Sequence, residues 1–211
     1  AKNASKEEVI NLDLTIVAVC TIADAALENA IKNQLGKPSF SCADIEGLTE
    51  LDASTASITN LAGINKAVNL KNLYLYNNSD LSDISPLSTL TSLERLDVSG
   101  TKVADISALT ELKNLTRLNL SYHPLDDISP LAGLTNLTTL FLSITGLTDA
   151  DISNLSALTK LSTLDLHSNQ ISDIGVLANL TALVDLSLRG NQIEDITALS
   201  GLTALKDLYL D

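Results

Sequence analysis

The sequence contains no methionine or tryptophan, and aromatic residues make up only 3% of its 211 positions. Hydrophobic residues nevertheless account for 45% of the chain, and leucine dominates them. A core built from one stacked residue type suits a repeating unit better than an irregular globule. These scarcities favour a repeat protein, in a chain whose length fits one ordinary domain.

Positive charge is also scarce, since 13 lysine and arginine residues face 26 acidic ones and leave a net charge of −13. This balance argues against nucleic acid as a partner, because nucleic acids favour clustered basic side chains, and against an anionic membrane surface. The longest apolar run, residues 14–23, is too short to span a membrane. We therefore expect neither nucleic-acid binding nor membrane insertion.

Only two cysteines are present, Cys20 and Cys42, and they lie on either side of a predicted helix. In a secreted protein a disulfide between them would stabilise this region by about 2–4 kcal/mol. In a reducing compartment they would be two small buried thiols. The sequence does not state the compartment, so both states stay open.

The leucines recur with a period of 22 residues over most of the chain. The segment LTKLSTLDLHSNQISDIGVL, residues 158–177, is followed one period later by LTALVDLSLRGNQIEDITAL, residues 180–199. A fixed period of this length is typical of a leucine-rich solenoid, in which each repeat forms one turn. The central leucines of the Leu-x-x-Leu-x-Leu units are Leu51, Leu73, Leu96, Leu118, Leu140, Leu164, Leu186 and Leu208.

This spacing predicts an α/β solenoid: a right-handed leucine-rich repeat superhelix with a parallel sheet on its concave side and short 3-10 turns on its convex side. We expect residues 1–44 to form an N-terminal strand and a helical cap, and residues 45–211 to form seven full repeats and a truncated eighth. A solenoid needs a cover at each end. The mid-repeat ending at Asp211 therefore leads us to expect a longer parent protein or a further capping domain.

The region before the repeats carries two predicted elements. Alternating apolar residues at 9–16 fit a strand with one buried face, and apolar residues at helical spacing predict a helix within residues 21–38. Thr21 or Asp24 can cap the start of this helix, and Gly36 can end it. We expect the helix to cover the open core of the first repeat.

Two polar residues recur with the repeat. An aspartate that stands alone in each convex turn is expected to cap it rather than to bind calcium; these are Asp83, Asp105, Asp127, Asp151, Asp173 and Asp195. At the inward turn after the strand, Asn78, Asn169 and Asn191 can satisfy buried backbone groups. His123 takes this position in one repeat, before a proline, and we expect local irregularity there. The repeats around 77–80 and 148–151 are one and two residues longer and should bulge outside the strand.

Several segments resemble the 22-residue repeats of bacterial internalins, namely DISPLAGLTNL at 127–137, LTNLTTLFL at 134–142 and LSALTKLSTLDLHSNQISDI at 155–174. The preceding IADAALENAIKNQLGKP and ADIEGLTELDAS resemble the helical cap found ahead of such repeats. The likeness covers residues 21–211. It implies a bacterial protein, secreted or attached to the cell surface, of a kind that can bind a host surface protein with its concave sheet.

The outward strand positions carry nearly all the aromatic residues: all four tyrosines and Phe141 fall there, which leaves only Phe40 in the cap. Rings that face water gain nothing from folding, whereas tyrosine and arginine are common anchors of interfaces. Strands favour aromatic residues in general, but no leucine-flanked core position uses one. We therefore infer a protein-binding face centred on Tyr122, Phe141 and Ile144. Its remaining predicted members are Tyr74, Tyr76, Arg95, Asp97, Arg117, Asn119, Asp165, His167 and Arg189.

The same face carries Ser143, His167 and Asp165, nominally the residues of a hydrolytic triad. An open sheet offers no evident oxyanion hole and does not exclude water, and Asp165 would project beside the imidazole. The other histidine, His123, is expected to face inward, so the pattern provides no metal site. We predict no catalysis, no cofactor and no metal.

These observations predict a monomeric protein-binding module. The resemblance to internalins implies that it is extracellular or on the bacterial cell surface, with adhesion or binding to a host protein as its role. An intracellular regulatory scaffold, similar to the 22-residue-repeat subunits that dock onto phosphatases, is one alternative, which free thiols at Cys20 and Cys42 would favour. A passive spacer in an adhesin stalk is another, and it predicts that the domain retains no ligand. Glycan binding at the tyrosine-rich end also stays open.

Overall fold

Eight strands of three residues each pair in parallel, in sequence order, to form a single sheet in the computed structural model, which describes residues 20–211. The strands are β1 Glu50–Asp52, β2 Asn72–Tyr74, β3 Arg95–Asp97, β4 Arg117–Asn119, β5 Thr139–Phe141, β6 Thr163–Asp165, β7 Asp185–Ser187 and β8 Asp207–Tyr209. Central leucines stand opposite each other in register, as Leu118 and Leu140 do. The predicted parallel sheet is therefore confirmed, while the strand expected at 9–16 lies outside the described residues.

Short 3-10 helices carry the chain back on the other side of each turn, as predicted. They span Ile64–Lys66, Ser85–Leu87, Ser107–Leu109, Ser129–Gly133, Ser153–Leu155, Gly175–Asn179 and Thr197–Gly201. Five of the six repeating aspartates accept the backbone N–H two residues ahead, which confirms the predicted capping; these are Asp83, Asp105, Asp127, Asp173 and Asp195.

Asp151 differs from the other five aspartates. Its repeat is two residues longer and contains a short helix of four residues, α3 Asp149–Ile152, and Asp151 lies inside it. Its carboxylate accepts hydrogen bonds from the backbone N–H and the hydroxyl of Thr148, at 2.8 and 2.7 Å. The prediction that Asp151 caps a 3-10 turn is therefore wrong in detail, because the insertion changes the element that is capped.

Two helices precede the sheet, α1 Ala25–Leu35 and α2 Cys42–Glu46. Asp24, one of the two candidate caps, accepts the N–H of Ala26 and Leu27 with one carboxylate oxygen. Its second oxygen accepts the N–H of Thr59, so one side chain ties the helix to the first repeat. Leu27 and Ile31 of α1 are fully buried against the core, as expected of a helix that covers the first repeat.

The cap is closed covalently. Cys20 and Cys42, the residues on either side of α1, are joined by a disulfide with their Cα atoms 4.7 Å apart. Of the two states that the sequence leaves open, the structure therefore has the oxidised one.

Asparagine side chains link neighbouring turns inside the solenoid. The Asn78 amide donates to the carbonyl groups of Ala53 and Leu75 and accepts the N–H of Ile58. Asn169 and Asn191 repeat this pattern four and five turns further along. Each amide thus satisfies backbone groups that stacking buries, as predicted.

His123 occupies the same inward position without those bonds. Its side chain is 4% exposed, and neither ring nitrogen has a hydrogen-bond partner. Burial lowers the pKa of this imidazole below its ordinary value of 6.5. Pro124 follows and has no N–H to donate, whereas Lys102, its counterpart one turn earlier, donates to Leu81. This is the irregularity expected at this turn.

Candidate protein-binding face

The residues that follow the central leucines form one column across the concave sheet. Strand register places them side by side in the order Asp52, Tyr74, Asp97, Asn119, Phe141, Asp165, Ser187 and Tyr209. In the first seven strands the leucine between each pair of outward residues is buried, which leaves the column on the opposite side of the strand; in β8, Leu208 is 37% exposed. Tyr74, Phe141 and Tyr209 therefore share one face, as predicted.

A left-handed backbone position follows each of the first seven strands. Four residues after the central leucine, the φ angle lies between 52° and 70° at Thr55, Asn77, Gly100, Tyr122, Ile144, Ser168 and Gly190. Glycine adopts this conformation freely, and asparagine tolerates it. Tyr122 and Ile144 are bulky residues for such a position, and a β-branched side chain there is a true outlier. Their side chains are 61% and 45% exposed, so burial does not offset the strain.

Tyr122 and Phe141 both border a hollow at the middle of the face. Together with Arg117, Asn119, Ser121, Ser143 and Asp165 they line this hollow of about 180 Å³, called here the central hollow. The Arg117 guanidinium lies 4.8 Å from the centre of the Phe141 ring, within cation–π distance. Five predicted residues thus come together in one place. Ile144 follows Ser143 in the sequence and is exposed, but it does not line this hollow.

A second and larger hollow lies between β5 and β8. Its volume is about 340 Å³, and it is lined by Phe141, Thr163, Leu164, Asp165, His167, Asp185, Ser187, Arg189 and Tyr209. It is called the C-terminal groove below. Phe141 and Asp165 line both hollows, so they stand between them.

The C-terminal groove contains five residues that the predicted face omitted, namely the buried Leu164 and four outward residues. Thr163, Asp185, Ser187 and Tyr209 are all outward strand residues of β6 to β8. The alternation of inward leucines and outward residues is the signal that identifies them. The prediction selected residues by type instead, so it included Phe141, Asp165, His167 and Arg189 of this groove and omitted the others.

The N-terminal part of the predicted face lies apart from both hollows. Tyr74, Tyr76, Arg95 and Asp97 belong to β2, β3 and the position after β2, and they line neither the central hollow nor the C-terminal groove. The Asp97 carboxylate accepts hydrogen bonds from the Ser99 hydroxyl and from the Asn119 amide. These four residues form an extension of the face rather than part of its centre.

The nominal triad residues do not form a catalytic arrangement. The Asp165 carboxylate accepts the backbone N–H of His167 rather than a ring nitrogen, at 2.9 Å. The His167 Nδ1 lies 3.2 Å from the carbonyl oxygen of Arg189. Ser143 is only 3% exposed, and its N–H donates to the hydroxyl of Ser121. Ser121 and Ser143 both line the central hollow, but each is only 3% exposed, so neither hydroxyl is freely accessible.

The carboxyl groups with lowered pKa values all accept backbone N–H groups. Backbone N–H donation lowers the pKa of Asp105, Asp149 and Asp195, the serine hydroxyl does so for Asp127, and the Lys37 ammonium does so for Asp44. At Asp24, burial raises the pKa, but hydrogen bonds from Thr59, Leu27 and Ala26 lower it by more. Residues 20–211 contain no cluster of three potential metal ligands and no helix long and apolar enough to cross a membrane.

Matches to known leucine-rich repeat families and structures cover most of the chain. The family described as "Leucine Rich repeats (2 copies)" matches residues 68–111 and 91–133, and "Leucine rich repeat" matches residues 135–193. The solved structure of internalin C2 from Listeria monocytogenes is 32% identical, covers 89% of this chain and 93% of its own, and has a TM-score of 0.73.

Two further structures are similar. An internalin (inlF) of Listeria monocytogenes is 28% identical over 93% of this chain and 78% of its own, with a TM-score of 0.49. A leucine-rich repeat protein of Leptospira interrogans is 24% identical over 80% of this chain and 44% of its own, with a TM-score of 0.70, and shares the fold. No curated protein sequence matches the chain.

Proposed function

Because the chain belongs to the internalin-like leucine-rich repeat proteins, we propose that its concave sheet recognises a protein partner through the face centred on Tyr122, Phe141 and Ile144. Arg117, Asn119, Asp165 and His167 surround this centre. Aromatic and arginine side chains are the usual anchors of protein interfaces. The role is recognition without catalysis.

The observation that carries this proposal is the strained backbone at Tyr122 and Ile144. At the equivalent position, where φ is positive, the sister turns place only glycine or small polar residues, namely Thr55, Asn77, Gly100, Ser168 and Gly190. A non-glycine residue in this conformation is destabilised by about 1–2 kcal/mol. These two side chains are large and exposed, they oppose folding, and they lie on the same face as the half-buried ring of Phe141. A contribution to binding explains their presence.

The extracellular location and the adhesive role are also part of the proposal. The bonded pair Cys20 and Cys42 supports an oxidising environment, since structural disulfides are rare in reducing cytosol. Membership of the internalin-like family supports a bacterial origin and a place outside the cell. Detection of free thiols at both cysteines in the native source would instead favour the intracellular scaffold.

Two isoleucines provide a matched test. Ile144 is 45% exposed on the proposed face, and Ile196, in the return limb of the last full turn, is 49% exposed away from it. Replacement by alanine removes the same atoms at both sites. The immobilised domain is incubated with surface proteins from animal cells and from bacteria, and the retained proteins are compared by mass spectrometry.

We expect the wild type and Ile196→Ala to retain the same protein, and Ile144→Ala and Tyr122→Ala to lose it. Loss of one buried apolar anchor weakens binding by about 1–2 kcal/mol, or roughly five- to thirtyfold. Equal retention by the two isoleucine variants would exclude the proposed face. A wild type that retains nothing above the background of a blank resin would favour the passive spacer.

A further inference from the structure

Negative charge collects at one end of the concave face. Asp165, Asp185, Asp207 and Asp211 lie on or directly after β6, β7 and β8. Arg189 is the cation that lines the C-terminal groove, and its Nε is 3.7 Å from the Asp211 carboxylate, so this charge already has a partner. The groove therefore presents the carboxylates of Asp165 and Asp185 without a matching cation among its lining residues.

Aromatic rings stand at the two ends of the same groove. Phe141 on β5 and Tyr209 on β8 both line it, three strands apart. Phe141 already attracts a cation on the side of the central hollow, where Arg117 lies over its ring. The negative face of an aromatic ring attracts cations, most strongly next to carboxylates that lower the local potential.

From this combination we propose that the C-terminal groove receives a basic side chain, lysine or arginine, of the protein partner. The cation lies between Phe141 and Tyr209 and pairs with Asp185. The groove is open to solvent and has room for a long side chain, at about 340 Å³. This inference rests on the proposed function, because it names the chemistry that the partner presents at one end of the face.

A short peptide tests the groove without knowledge of the partner. The folded, isotope-labelled chain is titrated with acetyl-Gly-Gly-Lys-Gly-Gly-amide, and chemical shifts of its backbone amides are followed by NMR. The same peptide with Nε-acetyl-lysine or glutamate in place of lysine controls for charge. Asp185→Asn removes the proposed pairing charge, and Asp126→Asn, an exposed aspartate of a return limb, is the matched variant.

We expect the lysine peptide to shift the amides of Ser187 and Tyr209, and the two control peptides to leave them unchanged. Asp185→Asn should weaken binding of the lysine peptide by about two- to fivefold, the usual effect of losing a solvent-accessible ion pair. Asp126→Asn should leave the affinity unchanged. Equal shifts from the acetylated peptide, or equal affinity in Asp185→Asn, would overturn the basic-side-chain inference. The comparison of Ile144 with Ile196 does not involve this groove, so the two proposals fail separately.

Discussion

The Nδ2 atom of Asn169 donates a 2.9 Å hydrogen bond to the carbonyl oxygen of Leu142, one turn earlier in the solenoid. The same nitrogen donates to Leu166 at 2.8 Å, and the amide oxygen accepts the N–H of Leu147 at 3.0 Å. Asn169 is buried, so water cannot replace these bonds. The turn of Asn169 is therefore fixed to the preceding turn by buried side-chain hydrogen bonds in addition to the packed leucines.

Asn169→Ala should destabilise the protein by about 2–4 kcal/mol, because several buried backbone groups lose their partners. Asn191→Ala is the matched variant, since Asn191 makes the same bonds near the end of the solenoid and is half-buried. We expect a smaller loss there, because water can reach the freed groups. Urea denaturation measures both free energies of unfolding, and equal losses would contradict the role of burial.

We expect His123 to make the free energy of unfolding depend on pH between about 5 and 7, which is above the range in which carboxyl groups titrate. Burial lowers its pKa in the folded state below 6.5, so the unfolded state binds the proton more readily. Stability should therefore fall as the pH drops from 7 towards 5. His123→Asn should remove this slope and gain about 1 kcal/mol by restoring the amide bonds of its sister turns.

Denaturation of the two proteins at pH 7 and pH 5 tests this prediction. The shifted carboxyl groups, such as Asp24, have lowered pKa values, so their contribution is lost only at more acidic pH. If wild type and His123→Asn lose the same stability between pH 7 and pH 5, His123 is not the group responsible.

The disulfide should stabilise the cap that covers the first repeat. Cys20→Ser and Cys42→Ser together should lower the free energy of unfolding by about 2–4 kcal/mol, since the bond closes a loop with a sequence separation of 22. Reductant should destabilise the wild type by a similar amount and leave the double variant unaffected. A wild type whose stability is unchanged by reductant would show that the bond contributes nothing.

Much of the fold follows from the spacing of leucines, since one period determines the strand, its register and the buried column. The aspartate caps also follow, because capping by an isolated acid is local chemistry. Asp151 shows the limit of that reasoning. The insertion in its repeat is visible in the sequence. Whether the longer segment becomes a loop or a helix depends on the hydrogen bonds that the Asp151 carboxylate accepts from the N–H and hydroxyl of Thr148.

The candidate site could be predicted only in part. Outward positions follow from alternation, but the split between the central hollow and the C-terminal groove depends on where the ring of Phe141 lies between its neighbours. The backbone strain at Tyr122 and Ile144 can be predicted from an alignment of the repeats, because Gly100 and Gly190 occupy the same position in other turns. Residue type alone does not reveal it.

Core and face should respond differently to loss of a large side chain. Leu118→Ala removes a fully buried residue of β4 and should cost about 2–5 kcal/mol of stability through the cavity that it leaves. Phe141→Ala removes a half-buried ring and should cost clearly less, yet abolish retention of the partner. Calorimetry and the binding assay on both variants check this. A Phe141→Ala protein as unstable as Leu118→Ala would place the ring in the core.

The most direct measurement combines stability with binding in Tyr122→Gly/Ile144→Gly. Glycine relieves the positive φ at both positions, so we expect a gain of about 0.5–1 kcal/mol per site and loss of the retained partner. Alanine at the same sites should also abolish binding without this gain, because it keeps the strained backbone. A glycine double variant that is less stable than the wild type, or that binds the partner at full strength, would contradict the assignment of these two side chains to recognition.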